Sequence, residues 1–326
     1  MSKNLFIRAD GSSKIGLGHI VRCIALANML KDEYLINFVC KEIPQKFVNE
    51  IISLNFSITQ IEDENNFFEL LTGDEIVVLD HYGMDSNYQK HIKGVGSKLV
   101  CIDDLHNKEF FADLIVNHSP GAKQEDYKAK PYTKFALGFD YALLRPLFLK
   151  VAKQQQQQQS VKMDTAFVCF GGSDINDFTL KITKVLLQLE DISCINIIVG
   201  EVYQKTEIFE LEKIHLKINI YKNLSEKELL RMMLESDFGI VPASSISLEL
   251  MAVNRPIVSG YYVENQRFFY QYLKDNDLVY GVDDFNTVKA VKLSNQIMNV
   301  IKHGKKNSKV IDGNQKNRFI NRMKKL

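Results

Sequence analysis

Short apolar runs alternate with amphipathic stretches along the whole chain. Runs at Leu5 to Ala9, Leu35 to Cys40, Glu75 to Leu79, Lys98 to Ile102, Asp113 to Val116 and Lys134 to Leu137 predict strands. Helical patterns fall between the early ones; Ile20, Ile24, Ala27 and Leu30 recur at helical spacing after the first. Then come Val151-Ala152-Lys153 and six glutamines, Gln154 to Gln159, with no apolar periodicity. That stretch reads as a surface linker. Beyond it the alternation restarts, with runs at Ala166 to Phe170, Ile195 to Val199, Ile218 to Tyr221, Phe238 to Val241 and Pro256 to Ser259. The pattern predicts an α/β protein of two doubly wound, Rossmann-like domains, residues 1–150 and 163–326, joined by a linker over 151–162. The last helix is free to pack back on the N-terminal domain. Two such domains are expected to face a cleft lined by strand C-terminal edges, a preferred place for a ligand.

The length of 326 residues fits about two domains, and 45% hydrophobic content supplies a sizeable core. Net charge is +1, so no global feature points to nucleic acid or an anionic membrane. The basic tail from Lys302 to Lys325 is the local exception and reads as a solvated helix. Five cysteines, Cys23, Cys40, Cys101, Cys169 and Cys194, lack metal-ligand spacing and sit mostly in apolar patterns, where they act as small hydrophobes. No metal and no cofactor is expected. The N-terminus becomes a strand almost at once and no apolar run approaches a membrane span, so a cytoplasmic monomer without stable membrane association is expected.

Candidate chemistry gathers at strand ends. Gly16-Leu17-Gly18-His19 joins the first strand to the first helix. It is neither a Walker loop nor a dinucleotide fingerprint, since no Gly-Lys-Ser/Thr and no Gly-x-Gly-x-x-Gly is present. Its glycines let backbone approach a ligand closely, and a helix N-terminus disfavours the imidazolium form of His19. A tight turn whose histidine caps the helix accounts for these residues equally well. Two further strand ends, Asp80-His81-Tyr82-Gly83 and Asp103-Asp104, carry carboxylates, a histidine and a tyrosine to the same edge. Helix capping by Asp80 and Asp103 is the competing explanation.

In the second domain, Phe170-Gly171-Gly172-Ser173-Asp174 is a flexible turn whose amides suit a phosphate or base. Pro242-Ala243-Ser244-Ser245 leads into a helix that Ser244 or Ser245 would cap, with its N-terminus free to meet a diphosphate. Glu249 lies one turn deeper on the same face, placed for two ribose hydroxyls. Asn265 and Gln266, after the next strand, suit sugar hydroxyls or, alternatively, the first turn of a helix.

Together these motifs carry a resemblance. Arg8-x-Asp10-x-Ser12-x-x-Ile15-Gly16-x-Gly18-His19 resembles the N-terminal motif of the UDP-2,4-diacetamido-2,4,6-trideoxy-β-L-altropyranose hydrolases of pseudaminic acid biosynthesis. The Asp-His-Tyr-Gly, Gly-Gly-Ser-Asp, Ser-Ser with Glu249, and Asn265-Gln266 pieces follow in that family's order. The Gly-Gly and Ser-Ser pieces are shared with the lipid-linked N-acetylglucosamine transferases of peptidoglycan synthesis. The resemblance implies a glycosyltransferase-B fold and metal-independent, inverting hydrolysis of a UDP-sugar to free sugar and UDP. His19 matches the catalytic base and Asn265 a residue assisting near the sugar. Ser244, Ser245 and Glu249 match the UDP pocket and Tyr82 the border of the sugar site. Asp10, Ser13, Gly16 and Gly18 are expected around the sugar, and Gly171, Gly172, Ser173 and Gln266 around the nucleotide and the sugar hydroxyls. A UDP-sugar-dependent glycosyltransferase of the same fold is the nearest rival reading, although no basic–aromatic membrane-docking patch is evident in the first domain. A nucleotide-sugar binding protein without chemistry is a third.

Overall fold

The computed structural model describes residues 3–12, 16–154, 162–172, 174–200, 203–304 and 310–326. Ser13, Ser173, positions 155–159 of the glutamine run and the two residues after it lie outside the described residues. The chain divides into two compact units, Met1–Pro146 with Asn314–Leu326, and Leu147–Gly313.

The first unit alternates β1 (Lys3–Ala9), α1 (Gly18–Leu30), β2 (Tyr34–Cys40), α2 (Gln45–Ser53), β3 (Ser57–Gln60), α3 (Glu64–Glu69), β4 (Ile76–Asp80), α4 (Ser86–Val95) and β5 (Lys98–Ile102). Beyond these come β6 (Glu109–Phe110), β7 (Leu114–Asn117), β8 (Lys128–Ala129) and β9 (Lys134–Leu137). Seven strands form one sheet in the order β3-β2-β1-β4-β5-β7-β9, all pairs parallel, while β6 and β8 make a separate two-stranded ribbon. Central strand β4 is buried at every position, as helices on both sheet faces require.

Helix α5 (Pro146–Gln154) opens the second unit. Residues 151–154, expected as linker, are thus its last turn. Ala152 is buried beside Phe148 and Leu149, and this apolar stripe extends the helix into the first glutamine. The unit continues β10 (Thr165–Cys169), α6 (Phe178–Leu187), β11 (Cys194–Val199), α7 (Glu207–Ile214), β12 (Ile218–Lys222), α8 (Glu226–Glu235) and β13 (Phe238–Pro242). It ends α9 (Ser245–Ala252), β14 (Ile257–Tyr261), α10 (Glu264–Asp275), β15 (Tyr280–Asp284) and α11 (Ala290–His303). Its parallel sheet runs β12-β11-β10-β13-β14-β15. The expected strands are present in both units. The structure adds the edge strands β3 and β15, in which polar residues or glycine break up any continuous apolar run.

The final helix, α12 (Gln315–Met323), belongs to the first unit and packs on α1. This second cover explains why α1 is buried almost all round. Phe319 and Met323 are buried, and the part of the basic tail within α12 and just beyond it is paired rather than merely solvated. Lys316 pairs with Asp32 at 2.5 Å, Lys324 with Glu33 at 2.8 Å, and Arg318 with Asp140 at 3.4 Å.

Candidate active site

In each sheet the strand order reverses beside its first strand, between β1 and β4 and again between β10 and β13. Loops diverge there, and open α/β sheets bind ligands at such points.

In the first unit, β1 feeds the glycine loop and β4 ends on Asp80. Gly16 has φ +91, a left-handed conformation that glycine adopts without strain, and its amide donates to Ser12 O at 2.8 Å. His19 is the second residue of α1 and 5% exposed. It does not cap the helix: Leu17 occupies the N-cap position and makes no side-chain cap bond. Its Nδ1 lies 2.6 Å from Asp80 Oδ1. Arg22, one helical turn on, closes on the same carboxylate with Nε at 2.6 Å from Oδ2 and Nη2 at 2.5 Å from Oδ1. Asp80 is fully buried, which alone would raise its carboxyl; the Arg22 charge and hydrogen bonds, joined by His19, hold it well below the usual carboxylate range.

Arg22 Nη2 also lies 3.2 Å from His19 Nδ1, so that nitrogen faces both a donor and an acceptor. The ionised carboxylate is much nearer and can only accept. Nδ1 therefore carries the proton and donates it to Asp80, and the lone pair belongs to Nε2.

The capping explanation for Asp80 fails, because Asp85 caps α4 through the Tyr88 amide at 2.9 Å. Asp103 does serve a turn: its Oδ2 accepts from Leu105 N at 3.2 Å and His106 N at 2.9 Å. Asp104 Oδ2 accepts from Arg22 Nη1 at 3.0 Å and Tyr82 OH at 3.1 Å. The Tyr82 ring meets His19 edge-on, centroids 4.5 Å apart. Asp10 faces inward: Oδ1 accepts from Lys41 N at 2.6 Å and Glu42 N at 3.1 Å, and Oδ2 from Arg8 Nη2 at 2.8 Å. Its carboxylate shapes the loop's exit from β1. His81 Nδ1 accepts from Gly83 N at 2.9 Å, and its Nε2 lies 3.5 Å from Asp10.

In the second unit, two helices begin at the switch point and differ in what meets their amides. At α6, Asp174 occupies the N-terminus, accepting from Phe178 N at 2.9 Å and Thr179 N at 2.8 Å. At α9, Ser244 stands at the N-cap position in extended conformation, but its hydroxyl makes no cap bond, contrary to the expected role. The α9 N-terminus is thus not spent on its own cap, and it carries the partial positive charge of the helix dipole. Gly171 has φ +82, and Gly200 approaches its neighbour so closely that a Cβ there would lie 2.3 Å from Gly172 O. Glu249 is 5% exposed within α9. Asn265 and Gln266 lie in the first turn of α10; Asn265 is exposed and Gln266 Oε1 accepts from Tyr262 N at 3.1 Å.

No family model matches the chain. It is 29% identical over 270 residues to the UDP-2,4-diacetamido-2,4,6-trideoxy-β-L-altropyranose hydrolase of Campylobacter jejuni, covering 80% of this chain and 93% of that protein. Among solved structures, Acinetobacter baumannii MurG superposes with a TM-score of 0.66 at 11% identity, covering 99% of this chain and all of that one. Anabaena HepE in complex with UDP-glucose superposes at 0.61 with 12% identity, covering 99% and 100%. The chain has the glycosyltransferase-B fold. The resemblance to the hydrolase extends well beyond the motifs that first carried it. No helix among the described residues is long and apolar enough to cross a membrane.

Within this glycosyltransferase-B protein, sequence reasoning passed over Arg22 and His118, and it brought Asp104 to the sheet edge without naming its partners. Arg22 had a signal: a charged residue three positions after His19 inside an otherwise apolar helical stretch. His118 follows β7 at the same edge and is 5% exposed, its Nδ1 buried without a hydrogen-bond partner. Burial first, and the Arg22 cation second, push its imidazole down to about 4. The unfolded chain binds a proton there that the folded one refuses, so stability is complete above pH ~6.5 and is lost as pH falls toward the folded value. Between pH ~7 and ~5 this loss amounts to about 2 kcal/mol. Urea denaturation at both pH values is expected to show it, and His118→Asn to flatten it.

Proposed function

We propose that the protein hydrolyses a UDP-linked 2,4-diacetamido-2,4,6-trideoxyhexose of altrose type, releasing free sugar and UDP in pseudaminic acid biosynthesis. The observation that carries the reading is the His19–Asp80 pair: a proton fixed on Nδ1 leaves Nε2 as base. Nε2 takes a proton from water, the water oxygen bonds to the anomeric carbon, and the carbon–oxygen bond to the β-phosphate breaks. The electron pair leaves on UDP, and attack from the opposite face inverts the anomeric centre. Asp80 stabilises the imidazolium that forms. UDP departs without protonation, so one general base suffices, and no metal enters the reaction as proposed. The α9 N-terminus with Ser244 and Ser245, and the Gly171–Gly172 amides, meet the charge on the leaving diphosphate. Glu249 is assigned to the ribose, Tyr82 to the border of the sugar, and Asn265 and Gln266 to its hydroxyls.

Proton NMR of the UDP-diacetamido sugar with the protein, and no other acceptor, tests this. Stoichiometric UDP and free sugar of inverted anomeric configuration are expected. Release of UDP only after a sugar or lipid acceptor is added would instead make the protein a glycosyltransferase.

A further inference from the structure

We infer that Asp104 is a positioning residue for the base, holding Arg22 and Tyr82 in one fixed frame around His19. The inference rests on the proposed hydrolysis. Asp104 lies two residues beyond β5, away from the glycine loop in sequence, and its Oδ2 receives donors from two different elements. Arg22 Nη1 arrives from α1 at 3.0 Å, and Tyr82 OH from the turn after β4 at 3.1 Å. The rest of the Arg22 fork grips Asp80, and Asp80 grips His19 Nδ1 at 2.6 Å. Tyr82 returns its ring to the edge of His19 at an interplanar angle of 78°. The circuit His19–Asp80–Arg22–Asp104–Tyr82 is therefore closed.

An imidazole held by one hydrogen bond can still swing about it. The Asp80 bond fixes Nδ1, and the Tyr82 edge fixes the plane of the ring. The direction in which the Nε2 lone pair points depends on both, and Asp104 couples them. Its other oxygen argues against a purely structural role. Oδ1 is buried with no hydrogen-bond partner, which costs stability. A carboxylate kept half-satisfied beside a base fits the pattern in which a functional site is maintained against stability.

The test uses Asp104→Ala, Tyr82→Phe, the double variant and Asp104→Asn. Asp104→Ala is expected to lower kcat about 10²-fold, with KM and UDP affinity little changed and the thermal midpoint unchanged or raised. Tyr82→Phe loses less, and the double variant is no worse than Asp104→Ala, because both changes cut the same link. Asp104→Asn keeps an acceptor oxygen for both donors and restores most of the rate. A readout on the free protein accompanies these: the far-downfield Nδ1 proton of His19, sharp in the unaltered protein and in Asp104→Asn, broadens in Asp104→Ala. An unchanged kcat in Asp104→Ala, losses that multiply in the double variant, or a rate loss matched by a falling thermal midpoint each overturns the inference. If the unaltered protein releases no UDP, the hydrolase reading fails, and the His19 resonance alone decides whether Asp104 holds the ring.

Discussion

His19→Ala is expected to lower turnover by about 10²–10⁴-fold, the usual worth of a positioned general base, while UDP binds as tightly as before. The two quantities separate because the residues assigned to each belong to different units. The base lies at the β1–β4 switch point of the first unit. The residues assigned to UDP lie after β10 and β13 in the second. Losing the imidazole removes the Nε2 acceptor and leaves the α9 N-terminus untouched. Asp80→Asn is expected to follow in the same direction: an amide can present its NH₂ to Nδ1 and draw the proton to Nε2, where it blocks the base. Steady-state UDP release, with calorimetric titration of UDP, checks both variants. Full activity in His19→Ala would sink the assignment. A parallel loss of UDP affinity would show that the variant damages more than the base.

The largest effect on stability is expected from Arg8→Met, roughly 3–5 kcal/mol as for other broken buried ion pairs. Arg8 is wholly buried, with Nη2 donating to Asp10 at 2.8 Å and to Glu64 at 2.6 Å. Methionine fills much of the volume but leaves Asp10 with its two backbone donors and the more distant His81 Nε2 at 3.5 Å. Glu64 is partly exposed, so water recovers some of its loss. Burial tends to raise both carboxyls, and the Arg8 hydrogen bonds and charge more than reverse it, so both titrate below their ordinary values. Depressed carboxylates contribute stability that is present above the unfolded values of about 4 and lost as pH falls through the folded ones. The unaltered protein should therefore weaken steeply on the acid side of pH ~4, and Arg8→Met should start lower and slope less. Urea denaturation at neutral and acid pH measures both. Equal midpoints at neutral pH would show that Arg8 adds nothing net to stability.

Much of this was legible in the chain. The parallel α/β organisation follows from apolar runs separated by amphipathic stretches, since a strand covered on both faces can carry few polar residues. The edge strands β3 and β15 were not legible, because their short Ser-Ile-Thr-Gln and Tyr-Gly-Val-Asp-Asp stretches interrupt apolar residues with polar ones or glycine, whereas the other two edges, β9 and β12, carry more apolar residues and were. The start of the expected linker, residues 151–154, is helical for a reason the pattern does not carry: glutamine forms helices well, and only the burial of Ala152 beside Phe148 shows that α5 continues into that region. His19, Tyr82 and the Gly171–Gly172 turn could be picked out because strand ends are where side chains and amides leave the sheet.

What the sequence by itself determined is therefore the two-unit α/β organisation and the segments that reach the sheet edges. What only the tertiary structure decided is which side chain each of those segments meets. Asp80 lies 61 residues from His19 and Asp104 lies 82 from Arg22, and parallel pairing brings each pair together. The same holds for the two helix N-termini of the second unit. Both follow a strand and a polar turn, yet Asp174 closes one and Ser244 leaves the other without a side-chain cap. Spacing along the chain assigns a residue to an edge. The rotamer that turns a carboxylate toward a histidine, an arginine or a helix end is set by packing between segments far apart in sequence, and local pattern carries no trace of it.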